Sequence, residues 1–370
     1  MKTWKLTEIP ELKILGRNNG KSDPLTLFWH GSGVEFAIKA KEVWMEFYTE
    51  YENFEHWISI WVDGALISRH ILAKGSSLVP IFLNADPSVT RHVRVLKEVQ
   101  PMTEDSINLF QICSVQTDGI FEKISEKKWK LEFIGDSLTS GEGTIGAVKE
   151  MTWNSMVMGA SFAYPLLTAD ALDSECRIMS KGGWGVFCSY DGDPAKNIPQ
   201  YYEKVCSMLD REKEVANGSK EDNDFPAWQP DAIIVNLGAN DDSSFHSEPM
   251  YPDKDTGKLL DMKMISEEEY EPASVKRVQD AVIAFLQKLR KNNPEAYILW
   301  AYGSFPQTLG KYIKEAVERY IAQTGDGKTE AVKFPTFTEE LKGSREHPGR
   351  GWHQQVVELL SELLPQKINK

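Results

Sequence analysis

Three short segments of this sequence carry side chains that together could break an ester. In Phe133-Ile134-Gly135-Asp136-Ser137-Leu138-Thr139-Ser140-Gly141, an apolar run ends in a Gly-Asp-Ser turn. A strand that stops there puts the Ser137 hydroxyl at the carboxyl edge of a sheet, where open α/β folds bind ligands. A helix that starts there aims unpaired N–H groups and its positive end at the same point. Ser137 is therefore a candidate nucleophile whose own N–H could also hold an oxyanion. Taken singly, the triplet reads more simply as Asp136 or Ser137 capping the helix. A second apolar run, Asp231 to Leu237, ends in Gly238-Ala239-Asn240-Asp241. Asn240 there would bring an uncharged amide donor to the same edge, although Asn-Asp after a strand is also ordinary turn chemistry. The third segment is Glu346-His347-Pro348-Gly349-Arg350-Gly351-Trp352-His353. Pro348 keeps His347 out of helical geometry, in a loop at the entrance of the C-terminal helix. An imidazole is the side chain best matched to taking a serine proton near neutral pH. His353, on the helix itself, reads as a surface or packing residue. A hydroxyl, an amide and an imidazole at one sheet edge amount to acyl transfer to water.

Such an edge needs a parallel sheet, and the second part of the chain has the pattern for one. Apolar strands are expected at Leu131 to Ile134, Arg177 to Met179, Asp231 to Leu237, Tyr297 to Tyr302 and Val332 to Phe337. Between them Val275, Val278, Val282, Phe285 and Leu289 fall at helical spacing, as do Val356, Val357, Leu360 and Leu364 before Pro365. Alternation of this kind implies an α/β fold, a parallel sheet covered by helices on both faces. The first part reads differently, in short alternating segments at 34–39, 43–50, 56–62, 91–96 and 109–115 with Asp-Gly and Gly-Ser punctuation. That is the pattern of a β-sandwich or jelly roll. The change near Lys127 divides the chain into residues 1–125 and 126–370. The charged stretch Asp210 to Asp224 reads as a solvated helix end and loop. Ser243 to Glu271, with Pro249, Pro252 and Gly257, reads as an inserted loop, either a lid beside the site or a plain surface excursion.

Composition narrows the chemistry. With 370 residues, 41% hydrophobic and 26% charged, the chain has the composition of globular proteins with room for two cores. No apolar run is long enough to span a bilayer, and the N-terminal segment lacks a secretory pattern. A cytoplasmic location is the expectation. The formal charge of −13, with scattered basic residues, opposes nucleic acid and anionic membranes as partners and suits a neutral substrate. Cys113, Cys176, Cys188 and Cys206 have neither Cys-x-x-Cys pairing nor His partners at metal spacing, so they read as buried thiols. No metal or organic cofactor is called for.

The order Ser137, Gly-x-x-Asn240, His347 resembles the SGNH (GDSL-type) hydrolase superfamily over about residues 129–365. Its first, third and fifth blocks are similar to Gly135-Asp136-Ser137, Gly238-Ala239-Asn240-Asp241 and His347-Pro348. Its second block, a glycine whose N–H joins the oxyanion hole, is similar to Ser180-Lys181-Gly182-Gly183-Trp184-Gly185, with Gly183 first choice and Gly185 second. The β-domain in front, together with Trp300-Ala301-Tyr302-Gly303, resembles carbohydrate esterase family 2, which pairs a jelly roll with an SGNH domain. That resemblance implies removal of acetyl groups from plant-polysaccharide fragments such as acetylated mannan or xylan, often at a sugar's primary position. It implies an oxyanion hole of Ser137, Gly183 and Asn240. Most SGNH enzymes carry an Asp three residues before the catalytic His, where this chain has Ser344. The resemblance to family 2 then implies a Ser137–His347 dyad whose imidazole is held by a backbone carbonyl, with Glu346 left as surface charge. Of eleven tryptophans, Trp153, Trp184, Trp300 and Trp352 lie near the motif ends. Trp184 and Trp300 are the preferred sugar-stacking pair, with Asp136 a further substrate-binding candidate. A lipase or thioesterase using the same machinery, and a sugar-binding protein without catalysis, are the alternative readings.

Overall fold

The computed structural model describes residues 1–9, 11–266, 269–305 and 309–368. Eleven strands come first: β1 (Lys2–Lys5), β2 (Lys13–Leu15), β3 (Leu25–Thr26), β4 (Gly33–Lys39), β5 (Val43–Tyr51), β6 (His56–Val62), β7 (Ala65–Leu72), β8 (Gly75–Phe82), β9 (Arg91–Lys97), β10 (Asn108–Thr117) and β11 (Ile120–Glu122). They form two antiparallel sheets. One runs β1-β10-β5-β8 with β3 also on β10; the other runs β11-β4-β9-β6-β7 with β2 also on β4. Alternation drives the pairing: Val43, Met45 and Phe47 of β5 are buried while Trp44, Glu46 and Tyr48 are only partly so. The inward rows of the two sheets meet in one apolar cluster that includes Phe36, Ile38, Ile58 and Ile60 from one sheet and Phe47, Phe110 and Ile112 from the other. This is the expected β-sandwich. Strands β7 and β8 lay outside the sequence expectation because each is an edge strand: Ile67, Ile71 and Leu78 are exposed, so no clean inward row marks them.

The rest of the chain adds β12 (Trp129–Gly135), β13 (Ser174–Ser180), β14 (Ala232–Asn236), β15 (Met264–Ser266), β16 (Glu269–Tyr270), β17 (Tyr297–Tyr302) and β18 (Thr329–Lys333). Its helices are α1 (Ser137–Ser140), α2 (Tyr164–Ala171), α3 (Glu212–Ala216), α4 (Ala239–Ser244), α5 (Pro272–Asn292), α6 (Leu309–Thr324) and α7 (Arg350–Ile368). The parallel sheet has the order β13-β12-β14-β17-β18, a doubly wound arrangement whose switch point lies between β12 and β14. Both faces are covered. Leu131 and Phe133 pack with Val356, Leu360 and Leu364 of α7, whereas Ile134 joins Val278 and Val282 of α5 and Val317 of α6. Strands buried on both sides explain the nearly continuous apolar runs in the sequence.

Several local expectations shift. The last strand is Thr329–Lys333, three residues earlier than the expected start. Helix α7 runs through Pro365 to Ile368 rather than stopping before it. Within the charged stretch at 210–224, Glu214 is fully buried and accepts the N–H of Asn108 at 2.6 Å. The 243–271 segment is packed: Phe245, Leu260, Met262 and Tyr270 belong to the main core cluster, and β15 pairs with β16.

The two parts are locked together. Phe28 and Trp29 of the first join the apolar cluster of α5 and α6, and the Trp29 indole donates to Val205 O at 2.7 Å. Arg17, 1% exposed, meets Glu132 of β12 at 2.9 Å. Deleting either partner would strand a buried charge, at about 3–5 kcal/mol. Gln100 of the β9–β10 loop accepts the Gly182 N–H at 2.7 Å, which ties that loop to the carboxyl edge of the parallel sheet.

Candidate active site

A single residue, Asp136, separates Ser137 from the end of β12. Asp136 caps α1, its Oδ1 accepting the Leu138 N–H at 3.1 Å, and Gly141 ends the helix at φ 75°. The triplet therefore caps a one-turn helix and presents Ser137 at its first position, where the backbone N–H has no partner within the helix. His347 arrives from the loop before α7, its Nε2 3.0 Å from Ser137 Oγ. Its Nδ1 lies 2.7 Å from the Arg345 carbonyl, which fixes the tautomer: Nδ1 carries the proton and Nε2 is free to take one. Ser344 is fully buried and turned away toward Gly143 O, and the Glu346 side chain is 66% exposed. Close approach of this loop depends on Gly143, at φ 75°, where a Cβ would stand 2.4 Å from Ser344 O and 2.7 Å from His347 Cβ.

Asn240 is the second residue of α4, four residues past the end of β14. Its Nδ2 donates to Trp184 O at 3.1 Å and to Asp136 Oδ2 at 3.2 Å, bonds that fix the amide plane beside Ser137. Burial pushes the Asp136 carboxyl up to about 7. The glycine run after β13 forms the third wall. The Gly182 N–H is committed to Gln100 Oε1 at 2.7 Å and that of Gly185 to Cys188 O at 2.9 Å. Gly183, at φ 82°, donates to no acceptor among the described residues. Gly185 has a different reason to be glycine, since a Cβ there would fall 2.2 Å from Asp241 Oδ2. That buried carboxylate, pushed up to about 6 by burial, accepts the N–H groups of Val186, Phe187 and Cys188 and holds the loop.

These groups open on a cleft of about 370 Å³ lined by both parts of the chain. Phe54, Gln100, Met102 and Glu104 come from the β-sandwich part; Ser137, Glu142, Trp153, Lys181, Gly182, Gly183, Tyr190, Asn240, Arg345 and His347 come from the other. Phe54 and Trp153 meet edge to face with ring centroids 4.8 Å apart, and Lys181 Nζ pairs with Glu104 at 2.9 Å. Arg345 Nε binds Glu142 Oε1 at 2.8 Å.

The structure corrects three substrate-binding expectations. Trp300 is wholly buried within β17, whose two faces are both covered, and packs on Phe285. Trp184 is 6% exposed with its ring against Tyr201; only its carbonyl serves the site, through Asn240. Asp136 is 2% exposed and turned to Leu138 and Asn240 rather than to the cleft. Trp352 is likewise core, which leaves Trp153 as the tryptophan on the cleft wall. His353 is buried, its Nδ1 accepting the Tyr164 N–H at 3.2 Å, and burial pushes it down to about 3. Gln100, Glu142, Tyr190 and Arg345 had no signal in the sequence, since none lies in a motif at the end of a strand. Among the described residues no group of three His, Cys, Asp or Glu side chains could hold a metal, and no helix is long and apolar enough to cross a membrane.

Comparison with known proteins bears on the whole arrangement. The family model for GDSL-like Lipase/Acylhydrolase matches residues 131–359. Among solved structures, the chain is similar to an acetyl xylan esterase from the rumen bacterium Butyrivibrio proteoclasticus, with 36% identity, 100% of both chains covered and a TM-score of 0.96. A family two carbohydrate esterase from Clostridium thermocellum in complex with cellohexaose shares the fold at 21% identity, with TM-score 0.78 over 97% of this chain and 99% of that one. Two curated relatives are a cellulase/esterase, CelE, of Acetivibrio thermocellus and an acetylxylan esterase / glucomannan deacetylase of Cellvibrio japonicus. The first is 25% identical over 92% of this chain, which spans only 37% of CelE's length. The second is 24% identical over 96% of this chain and 88% of its own.

Proposed function

This chain belongs to the GDSL-like lipase/acylhydrolase family, and from that premise we propose that it is a carbohydrate O-acetyl esterase acting on fragments of acetylated plant polysaccharides such as xylan or mannan. The observation that carries the reading is the Ser137 Oγ to His347 Nε2 contact of 3.0 Å at the floor of an open cleft. In the first step Oγ bonds to the acetyl carbonyl carbon, its proton passes to Nε2, and the carbonyl π pair moves onto oxygen. That oxyanion faces the N–H groups of Ser137 and Gly183 and the Asn240 amide. At rest the Asn240 Nδ2 donates to Trp184 O and Asp136 Oδ2, at 3.1 and 3.2 Å, so its part in the oxyanion hole requires one of these bonds to be exchanged for the oxyanion. Collapse of the intermediate expels the sugar oxygen, which takes the proton from Nε2. Water then attacks the acetyl-enzyme with the same imidazole as base, releasing acetate and restoring Ser137.

The substrate side rests on the cleft's aromatic wall. Phe54, Trp153 and Tyr190 offer flat apolar faces to sugar C–H groups, and Gln100, Glu104 and Lys181 offer hydrogen-bonding groups to hydroxyls. The same reading puts the protein in a reducing compartment, the cytoplasm, supported by four unpaired cysteines; native protein in the culture medium would contradict it. The test is to follow acetyl loss from acetylated xylan and mannan oligosaccharides by position-resolved NMR. Ser137→Ala should abolish acetate release while circular dichroism stays unchanged, and undiminished turnover would refute the assignment. Octanoyl esters cleaved faster than acetyl esters would turn the reading toward a lipase or thioesterase.

A further inference from the structure

The Arg345 carbonyl that holds His347 is neutral, so it orients the imidazole but brings no full negative charge to the cation formed when the ring takes a proton. It also sits in unusual backbone. Arg345 and Glu346 are consecutive non-glycine residues in the left-handed region, at φ 56° and 57°, a conformation that persists only where its surroundings enforce it. Three bonds do so here. The Arg345 N–H donates to Glu150 O at 2.7 Å, Nη1 donates to Met151 O at 2.8 Å, and Nε donates to Glu142 Oε1 at 2.8 Å.

Glu142 ties this loop to the nucleophile. Its own N–H donates to Ser137 O at 3.0 Å, and its carboxylate is nearly buried, at 4% residue exposure, in the wall of the cleft. The oxygen that receives Arg345 also stands 3.9 Å from His347 Nε2. Among the described residues it is the carboxylate within 4.0 Å of that ring. The other charged groups near the imidazole come from its own loop and from the segments packed against it. Arg345 is on its own loop, and Glu346 points outward to Lys342. Asp136, before Ser137, binds the Leu138 N–H and the Asn240 amide, and Lys181 pairs with Glu104 in the cleft wall. His353 of α7 is held neutral by burial.

Resting on the esterase reading above, we propose that Glu142 is the acidic positioning residue of the Ser137–His347 dyad. Through Arg345 it fixes the carbonyl that aims the imidazole, and from the Nε2 side it offsets the positive charge the ring acquires. The role given elsewhere in the superfamily to an Asp on the histidine's own loop is supplied here from the nucleophile's segment.

Two variants test this with opposite signatures. Glu142→Gln keeps an acceptor for Arg345 but removes the negative charge, leaving the guanidinium unbalanced beside the ring. It should lower kcat on an activated acetyl ester roughly 10-fold or more with KM nearly unchanged, and move the acid limb of the kcat/KM profile to lower pH. Arg345→Met leaves the carboxylate unbalanced and frees the loop, so kcat should fall while the acid limb moves to higher pH. Both limbs staying in place with kcat at the wild-type level in Glu142→Gln would overturn the role while leaving the esterase intact. If Glu142→Gln does not fold, Arg345→Met alone decides by the direction of its limb. Ser137→Ala run beside them separates the two failures, because turnover retained there sinks the esterase reading itself.

Discussion

Replacing Asn240 by alanine is the most direct probe of the oxyanion site. In the resting enzyme the side chain costs little to lose: its two bonds, to Trp184 O and Asp136 Oδ2, are 3.1 and 3.2 Å long, and bonds of this kind contribute about 1 kcal/mol each. In the proposed transition state the loss is larger, because one of the three donors assigned to the new charge disappears. Removal of one such donor typically costs a factor of about 10²–10³ in kcat, or roughly 2.7–4 kcal/mol. Asn240→Ala should therefore fall within that range on 4-nitrophenyl acetate, with KM little changed and melting temperature only slightly lowered. Asn240→Asp sharpens the test. It sets a second carboxyl against Asp136, which burial already pushes up to about 7, so the pair should share a proton at neutral pH. As pH rises that proton leaves and negative charge faces the oxyanion, so the Asp variant should drop below the Ala variant on the alkaline side. Stopped-flow measurement of acyl-enzyme formation gives the acylation rate constant separately from deacylation. An alanine variant within about three-fold of wild type, or an aspartate variant faster than alanine at alkaline pH, would show that the Asn240 amide is a structural bond and nothing more.

Gln100 accepts the Gly182 N–H at 2.7 Å from the β-sandwich side, so Gln100→Leu should release the glycine loop and lower kcat by roughly 10-fold or more on every ester tested; unchanged turnover would sever the β9–β10 loop from the catalytic geometry. Trp153→Ala removes a cleft face remote from the reacting carbonyl, so KM for an acetylated oligosaccharide should rise several-fold while 4-nitrophenyl acetate is cleaved as before, and equal loss on both substrates would contradict a sugar-stacking role. Lys97 is buried and pushed down to about 7 from 10.5 by desolvation. Its folded state binds the proton less well than the unfolded chain, so its penalty is full below about pH 7 and fades as pH rises toward 10.5. Lys97→Met should therefore raise stability in urea titrations by on the order of several kcal/mol at neutral and acidic pH, with the gain shrinking above neutrality; a gain that grows with pH would refute the sign.

What was legible in the sequence follows from locality. Ser137 and Asn240 each sit within four residues of the end of a parallel strand, and such strands announce themselves because both faces are buried. His347 was legible through Pro348, which bars helix before α7. The β-sandwich showed where a strand has one wet face, as in β5, and faded at β7 and β8, where edges leave apolar residues exposed. The sugar-facing tryptophans were misjudged for a reason the strands make plain. Trp300 is an interior strand residue in a sheet covered on both faces, so its ring had to enter a core. Trp153 lies between strands, where a ring can stay at the surface and line a cleft. Gln100 and Glu104 were illegible because their role depends on how the β-sandwich docks against the parallel sheet's carboxyl edge, a relation no local pattern encodes. The left-handed pair Arg345-Glu346 was hidden too, since neither residue type favours that conformation.

The Gly-Asp-Ser triplet seemed to require a choice between capping and chemistry, yet the two roles are one arrangement. Asp136 caps α1 by accepting the Leu138 N–H, and a capped one-turn helix leaves the Ser137 N–H unpaired at its first position. The second oxygen of the same carboxyl receives Asn240 Nδ2, so the group that starts the helix also aims the amide across the switch point. Across the nucleophile, Gln100 takes up the Gly182 N–H and the neighbouring Gly183 N–H is left uncommitted. Each unpaired donor around Ser137 is thus defined by a neighbour whose own bond is already made. For the two backbone donors, the Ser137 and Gly183 N–H groups, the surroundings have settled without ligand which groups remain free, which is the condition under which the proposed oxyanion stabilisation by them needs no rearrangement as charge develops.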